Sequence, residues 1–445
     1  MAGVALGADL GTSGLKLVAL DEEGTTVAEA ERGYRVERPH PGWAETDVGT
    51  WRAALDEALA EIAPALDGSR ILALGLSGQM HGAVLVDAAG NALRPALLWP
   101  DSRAAAEVDR WRALPAADRA ALANPLVAGM TGPMVAWLAR HEPGVLARAA
   151  AVVLPKDALR AALVPGATPG VTERSDASAT LLWDVARDTW SPAAVRAAGI
   201  PGALLPDVRP ATEVVGTTTG DLPVVVGAAD TPLALLAAGT GGALQVNLGT
   251  GAQVLGPGAS PRPVVDPVTH CYADARDGWY AMAALRNGGS AWSWVRAVLG
   301  MSWSEFFGAA ASAPPGAGGA VFAPFLEGER GGVAGPEDRG GWSGLHPGTT
   351  RADLARAAVE GVARAVAGAC GLLGPLDDAA VVLTGGGARD AVVQQVLADA
   401  LDRPVRHVRL RSASAVGAAM LAAQGMGLSV EPRRGLGPLI EPSSG

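Results

Sequence analysis

The sequence predicts an α/β protein made of two related halves. Short apolar, β-rich runs alternate with helix-patterned stretches along the chain. A glycine/hydroxyl turn between apolar runs occurs at Gly7-Ala8-Asp9-Leu10-Gly11-Thr12-Ser13-Gly14-Leu15-Lys16 and again at Asn247-Leu248-Gly249-Thr250-Gly251. A glycine cluster at residues 239–242 separates the stretches that carry the two copies.

Taken in order, residues 4–6 and 15–20 form a hairpin around the first turn. Residues 51–62 have helical apolar spacing, with Thr50 as the N-cap. Residues 71–76 form a strand ending in Ser77-Gly78-Gln79-Met80-His81-Gly82, and residues 83–86 a second strand. Residues 104–114 and 135–140 are helical. Residues 223–227 form a buried strand that empties into Ala228-Ala229-Asp230-Thr231-Pro232; a small-residue helix follows to Ala238, its proline well placed at a helix start. The second half restarts with the hairpin around Gly249, and Asn287-Gly288-Gly289-Ser290 opens a helix to Leu299. Residues 309–320 and 328–348 read as loops, and residues 351–373 as a long helix. A strand at residues 380–383 runs into Thr384-Gly385-Gly386-Gly387 and then a helix at residues 390–400. The expected domains are residues 1–238 and 239–430, with a flexible tail over 431–445.

A chain of 445 residues can hold two or three domains with sizeable cores. Mean hydropathy is positive because of alanine, and no apolar run is long enough to span a bilayer. The N-terminus reaches Asp9 without a basic leader, so no signal peptide is expected. A net charge of −10 without Lys/Arg clusters argues against a nucleic-acid partner. Cys271 and Cys370 lie far apart without metal spacing and read as reduced thiols of a cytoplasmic protein.

The turns suit phosphate, since small residues let backbone N–H groups approach an anion and hydroxyls add donors. Asp9 has Asn247 as its counterpart, so a metal is expected on one side only. Asp9 before two hydroxyls suits Mg²⁺, which prefers one or two carboxylates with phosphate oxygens and water. Only two lysines occur, and Lys16, just past the first turn, is placed to reach a terminal phosphate; Lys156 carries less meaning. Asp230, at the end of a buried strand and the start of a helix, suits a ligand-facing carboxylate and a helix N-cap equally. His81 alone reads as a structural or surface histidine, Asp101 and Arg103 as a surface ion pair, and Trp292 and Trp294 as core. The chain has no Walker A loop, Gly-x-Gly-x-x-Gly, Gly-x-Ser-x-Gly or His-Glu-x-x-His.

An ordered set of motifs over residues 3–425 resembles the FGGY carbohydrate kinases of the actin/hexokinase/Hsp70 superfamily. The set comprises Asp9-Leu10-Gly11-Thr12-Ser13-Gly14, Pro41-Gly42-Trp43-Ala44-Glu45, Leu154-Pro155-Lys156-Asp157, Ser175-Asp176-Ala177-Ser178, Gly249-Thr250, Gly328-Glu329-Arg330, Gly385-Gly386-Gly387-Ala388-Arg389 and Ala415-Val416-Gly417-Ala418-Ala419. Gly78-Gln79-Met80-His81-Gly82 is similar to the substrate turn of the xylulokinase branch in particular.

The resemblance implies two ribonuclease-H-like domains with ATP and Mg²⁺ in the cleft and a ketose, D-xylulose first, phosphorylated at its terminal hydroxyl. It implies Asp230 as the catalytic base and Met80, His81, Asp230 and Thr231 on the substrate. Asp9 would be the metal-associated carboxylate. Gly11, Thr12, Ser13, Lys16, Gly249 and Thr250 would lie along the phosphates, and Gly289, Gly386 and Gly387 on the nucleoside side. A homodimer is compatible with it. Thr231 stands where the family usually has asparagine, Pro100 replaces an asparagine, and Met134 stands where lysine is frequent. Gly251 stands where serine is common, and Gly331-Gly332 replaces Thr-Pro. These departures keep another pentulose, hexulose or polyol open as the substrate. A nucleotide-binding regulatory protein without catalysis is the reading of another class, and retention of Asp9 and Asp230 speaks against it.

Overall fold

The computed structural model describes residues 3–330, 332–374 and 379–443, which leaves the substituted Gly331 and the last two residues of the expected tail outside the described residues. Strands β1 (Gly3–Leu10), β2 (Gly14–Asp21) and β3 (Thr26–Gly33) run antiparallel, and β4 (Arg70–Gly78) lies parallel to β1 on its other side. Helix α1 (Val48–Ile62) makes the crossover, burying Trp51, Leu55, Ala58 and Ile62 at helical spacing. Its cap is Asp47 rather than Thr50: Asp47 has extended backbone, and its Oδ1 accepts the Gly49 amide at 2.7 Å. Strands β5 (Val214–Thr217), β6 (Pro223–Val225) and β7 (Ala228–Ala229) complete a sheet ordered β5-β6-β4-β1-β2-β3, with β7 also beside β4. Helices α2 (Pro155–Leu163) and α3 (Arg174–Ser178) lie in the chain between β4 and β5, and α4 (Asp230–Ala238) follows β7 directly. The helix expected at residues 104–114 is a 3₁₀ turn at Ala105–Val108 followed by one α turn at Asp109–Arg112.

The second sheet is built from β8 (Gln245–Leu248), β9 (Ala252–Pro257), β10 (His270–Ala273), β11 (Trp279–Leu285), β12 (Val381–Thr384), β13 (Val405–Arg409) and β14 (Gly435–Ile440). Its order is β10-β11-β9-β8-β12-β13-β14. Antiparallel β8, β9 and β11 flanked by parallel β12 and β13 repeat the arrangement of β1, β2 and β3 flanked by β4 and β6. The hairpin echo in the sequence is therefore an echo of whole sheets.

Helices α5 (Gly289–Val298), α6 (Trp303–Ser312), α7 (Arg351–Leu372), α8 (Ala391–Leu401) and α9 (Ala413–Gly425) belong to the second half of the chain. Helix α6, opened by the Ser302/Glu305 capping box, runs on to Ser312 and so takes the start of the expected 309–320 loop. Helix α9 crosses back onto the first sheet. A Cβ on Gly7 would lie 1.9 Å from the Ala415 carbonyl oxygen, and one on Gly75 would lie 2.0 Å from that of Ala418. Only glycine permits that approach of helix to strand, which explains the small-residue run Ala415-Val416-Gly417-Ala418-Ala419.

The tail corrects the expectation of looseness. Beyond α9, the Arg433 amide donates to Gly24 O at 2.7 Å, and β14 then pairs antiparallel with β13 at the edge of the second sheet. Three segments thus join the halves, residues 239–244, 410–412 and 426–434. Arg434 ties the last of them to the end of α4, its Nε donating to Ala237 O at 2.6 Å.

Candidate active site

Asp9 is the penultimate residue of β1, its backbone opposite Lys16 on β2 and Ser77 on β4. Ser77 Oγ donates to Asp9 Oδ1 at 2.8 Å. Burial raises the Asp9 carboxyl above its ordinary value, against the opposing pull of Ser77 and Lys16. Asn247 holds the corresponding place on β8, opposite Gln253 and Thr384. There Asn247 Nδ2 donates to Gln253 Oε1 at 3.2 Å and Thr384 Oγ1 to Asn247 Oδ1 at 3.4 Å. A charged trio is matched by a neutral one in the same geometry.

Asp230 is the first residue of α4, and its side chain does not cap that helix. Its Oδ1 accepts the Thr231 amide at 2.6 Å and the Thr231 hydroxyl at 3.2 Å. Burial first, and then the charge of Asp9, raise its carboxyl to about 7. Asp230 and Thr231 line a cavity of about 670 Å³ with Thr12, Met80 and His81. His81 has φ +68°, held by an Nδ1–Ala179 O contact of 2.6 Å. Burial, with Arg330 adding to it, lowers its pKa to about 4, so the ring is neutral. Tyr280 of the second half donates to Met80 Sδ at 3.7 Å. The floor of the cavity thus joins both halves.

The turns differ from the simplest cradle. The Gly11 amide donates to Gly14 O at 3.0 Å and the Gly249 amide to Gly251 O at 2.9 Å, so each glycine closes its own turn. Thr12 and Ser13 form the tip of one turn, and Thr250 that of the other. Thr12 Oγ1 donates to Gln79 Oε1 at 3.3 Å and accepts Trp99 Nε1 at 2.8 Å. Gly289 closes against the second turn, its amide donating to Gly249 O at 2.9 Å. Gly249, Thr250, Gly289, Gly386 and Gly387 all line a second cavity of about 890 Å³. Its remaining wall includes Trp294, which is 44% exposed rather than core; Trp292 is buried, as expected.

The N-terminal domain of the FGGY family of carbohydrate kinases matches residues 4–241, and its C-terminal domain residues 244–426. The chain belongs to the FGGY family. It is 33% identical to the xylulose kinase of Escherichia coli (strain K12), with 98% of this chain and 92% of that one covered. It is 31% identical to the glycerol kinase of Aromatoleum aromaticum, covering 95% of this chain and 90% of that one. The crystal structure of xylulose kinase from Rhodospirillum rubrum superposes with a TM-score of 0.89 at 28% identity, covering 99% of this chain and 94% of that one.

In this FGGY chain the remaining motifs form supports for the two cavities. Lys156, fully buried, contacts Asp157 at 2.7 Å and Asp176 at 3.0 Å, with Glu173 at 3.6 Å. Burial opposes its charge, but these three acids outweigh it and hold its pKa above the usual lysine value. Burial keeps Asp176 well above the usual carboxylate range. Glu173 Oε1 accepts Ser175 Oγ at 2.9 Å, and Ser175 Oγ accepts the Ala229 amide at 3.0 Å, one residue before Asp230. Lys156 is therefore a structural ion that braces the Asp230 turn. Glu329, also buried, accepts the amides of Arg286 and Asn287 and so fixes the approach to Gly288 and Gly289.

Asp101 and Arg103 are not a surface pair. The Arg103 side chain is 1% exposed, lies 3.5 Å from the Trp43 ring centroid and bridges Asp101 and Glu45, each at 2.7 Å. The first cavity also takes Gln79, Trp99, Gln253, His270, Arg286 and Arg330, absent from the sequence-derived site. Gln79 and Arg330 belong to the Gly78–Gly82 and Gly328–Arg330 motifs. His270 and Gln253 had no local signal, because their positions depend on how the second sheet faces the first.

Proposed function

We propose that this chain transfers the γ-phosphoryl group of ATP to the terminal hydroxyl of a ketose, converting D-xylulose to D-xylulose 5-phosphate, with Asp230 as the base. The observation that carries the reading is the Asp230 carboxyl, raised to about 7 in a cavity shared with Met80 and His81. A base with a pKa near the working pH combines ionisation with enough basicity to take a hydroxyl proton.

In this reading the sugar rests on Met80 and His81. Nδ1–H of the neutral His81 donates to Ala179, so Nε2 is the atom that accepts a sugar hydroxyl. Asp230 takes the proton of the terminal hydroxyl as that oxygen attacks the γ-phosphorus in line; the bond to ADP breaks, and Asp230 keeps the proton. The base supplies about 10²–10⁴-fold, roughly 3–5 kcal/mol. Positioning and charge stabilisation supply the rest. Thr12, Ser13, Lys16 and Thr250 flank the phosphates, with Gly11 and Gly249 shaping their turns, and Gly289, Gly386 and Gly387 face the nucleoside.

Asp9 is the residue that would hold Mg²⁺, directly or through water. The fit rests on the buried Asp9 carboxyl and on the Asp230 carboxyl that its charge reaches, the one or two carboxylates that Mg²⁺ takes beside phosphate oxygens and water. Bound there, Mg²⁺ would neutralise phosphate charge. The setting is the cytoplasm, where ATP is available and the free thiols Cys271 and Cys370 stay reduced.

A kinase for another pentulose, hexulose or polyol is the second reading. Thr231 favours it, because it stands where the family usually has asparagine and its hydroxyl donates to Asp230 Oδ1 at 3.2 Å. Met134 is fully buried, so its departure from lysine bears on packing. A coupled assay of ADP release across ketoses and polyols decides: release with D-xylulose supports the first reading, and release with another sugar only supports the second. Absence of release with every sugar overturns both.

A further inference from the structure

The 890 Å³ cavity beside Gly386 and Gly387 has an aromatic wall. Trp292 is turned into the core, its Nε1 donating to Ala358 O at 3.0 Å. Trp303 stacks on Phe307 with centroids 5.6 Å apart and has the Arg296 guanidinium 5.1 Å from its ring. Trp294 is exposed to the same degree as Trp303, 44% against 43%, but its ring leans on Trp342 at 5.8 Å, whereas Trp303 is engaged by Phe306, Phe307 and Arg296. A large indole left open next to a glycine turn is unusual unless something flat covers it. The polar side-chain groups among the described lining residues are indole N–H groups and the hydroxyls of Thr250, Ser290 and Ser293; no amide, carboxylate or imidazole side chain lines it.

That composition bears on which nucleotide is accepted. An amide or carboxylate reads a base edge because its donors and acceptors are fixed. A hydroxyl rotates and serves as donor or acceptor, so it meets a purine 6-amino and a 6-oxo group alike. Stacking on an indole tolerates any base, since every base has a π face. A site that binds by stacking discriminates weakly, whereas fixed buried hydrogen bonds reject the wrong partner by orders of magnitude.

We infer that Trp294 is the platform on which the nucleobase stacks, and that the enzyme accepts purine nucleoside triphosphates with little discrimination between 6-amino and 6-oxo bases. The inference rests on the kinase reading for the position of the phosphates. It goes beyond it in naming the specificity-determining residue and the class of phosphate donor.

The experiment compares ATP, GTP and ITP as donors at saturating sugar, with nucleotide titrations of the intrinsic indole fluorescence. Expected is a kcat/KM for GTP and ITP within about 100-fold of that for ATP. Trp294→Ala should raise KM for ATP roughly 5- to 100-fold, with sugar KM unchanged. Trp294→Phe should keep most of the affinity but lose the nucleotide-induced quench. Discrimination against GTP and ITP beyond about 100-fold overturns the inference, as does a Trp294→Ala enzyme with ATP KM within twofold of wild type. Nucleotide quenching without sugar-dependent turnover sinks the kinase reading but upholds the base platform. Sugar-dependent turnover with strict selectivity for ATP does the reverse.

Discussion

After burial, the charge of Asp9 is the largest influence that raises Asp230, and together they bring the Asp230 carboxyl to about 7. Two carboxylates in one partly dry site cannot both ionise freely. Both carboxyls are raised, but Asp9 has Ser77 and the cation Lys16 to favour its charge, whereas Asp230 has hydrogen bonds from Thr231 and its own backbone. This divides the roles into one acid suited to a cation and one suited to a proton.

The pH profile follows. Asp230 must be ionised to accept a proton, so kcat/KM for the sugar should fall about tenfold per pH unit below about 7. A profile flat from pH 8 to pH 5 would remove Asp230 as the base.

Stability should move the other way. A folded pKa above the ordinary value means that the fold favours the protonated acid, so ionising it costs stability as pH rises from about 4 to about 7. Asp230→Asn should therefore leave the melting temperature unchanged near pH 4 and gain roughly 1–3 kcal/mol at pH 8. Equal melting curves at both pH values would contradict the shift.

The Asp230 turn depends on Ser175, which accepts the Ala229 amide in the buried layer above Lys156. Ser175→Ala leaves that amide without its acceptor, at a cost of about 1–3 kcal/mol. It should lower kcat about tenfold with sugar KM little changed, since Ser175 touches the turn and not the sugar. Steady-state kinetics that show only a KM effect would assign Ser175 to binding.

Arg103 is the hub of the Trp43–Glu45 motif. Arg103→Met leaves the buried Asp101 without its cation, while Glu45 keeps Arg94 at 2.6 Å, and should cost about 3–5 kcal/mol in urea unfolding. A loss below 1 kcal/mol would mean that the cluster is dispensable.

Much of this was legible in the chain. The two hairpins carried the repeat because a Gly/hydroxyl turn between apolar runs is a local pattern. Asp230, Met80 and His81 were reached through an ordered set of short motifs, and the structure brings them into one cavity. What failed was tertiary. Asp101 and Arg103 look like a solvated pair until Trp43 and Glu45 close over them. Trp294 and Trp292 are two residues apart, so their helix turns one to the core and the other to the cavity. The tail reads as loose from its Pro and Gly content, but an edge place on the second sheet orders Gly435–Ile440. Nothing local could have said that α9 lies on the first sheet, since that needs Gly7 and Gly75 to meet Ala415 and Ala418.

The most direct test is D-xylulose-dependent ADP release by the wild-type enzyme and by Asp230→Ala, with nucleotide affinity measured by calorimetry on both. The prediction is sugar-dependent release by the wild type, at least a 10²-fold loss of kcat in the variant, and nucleotide affinity within about threefold. Near-normal turnover by Asp230→Ala would contradict the assignment of the base.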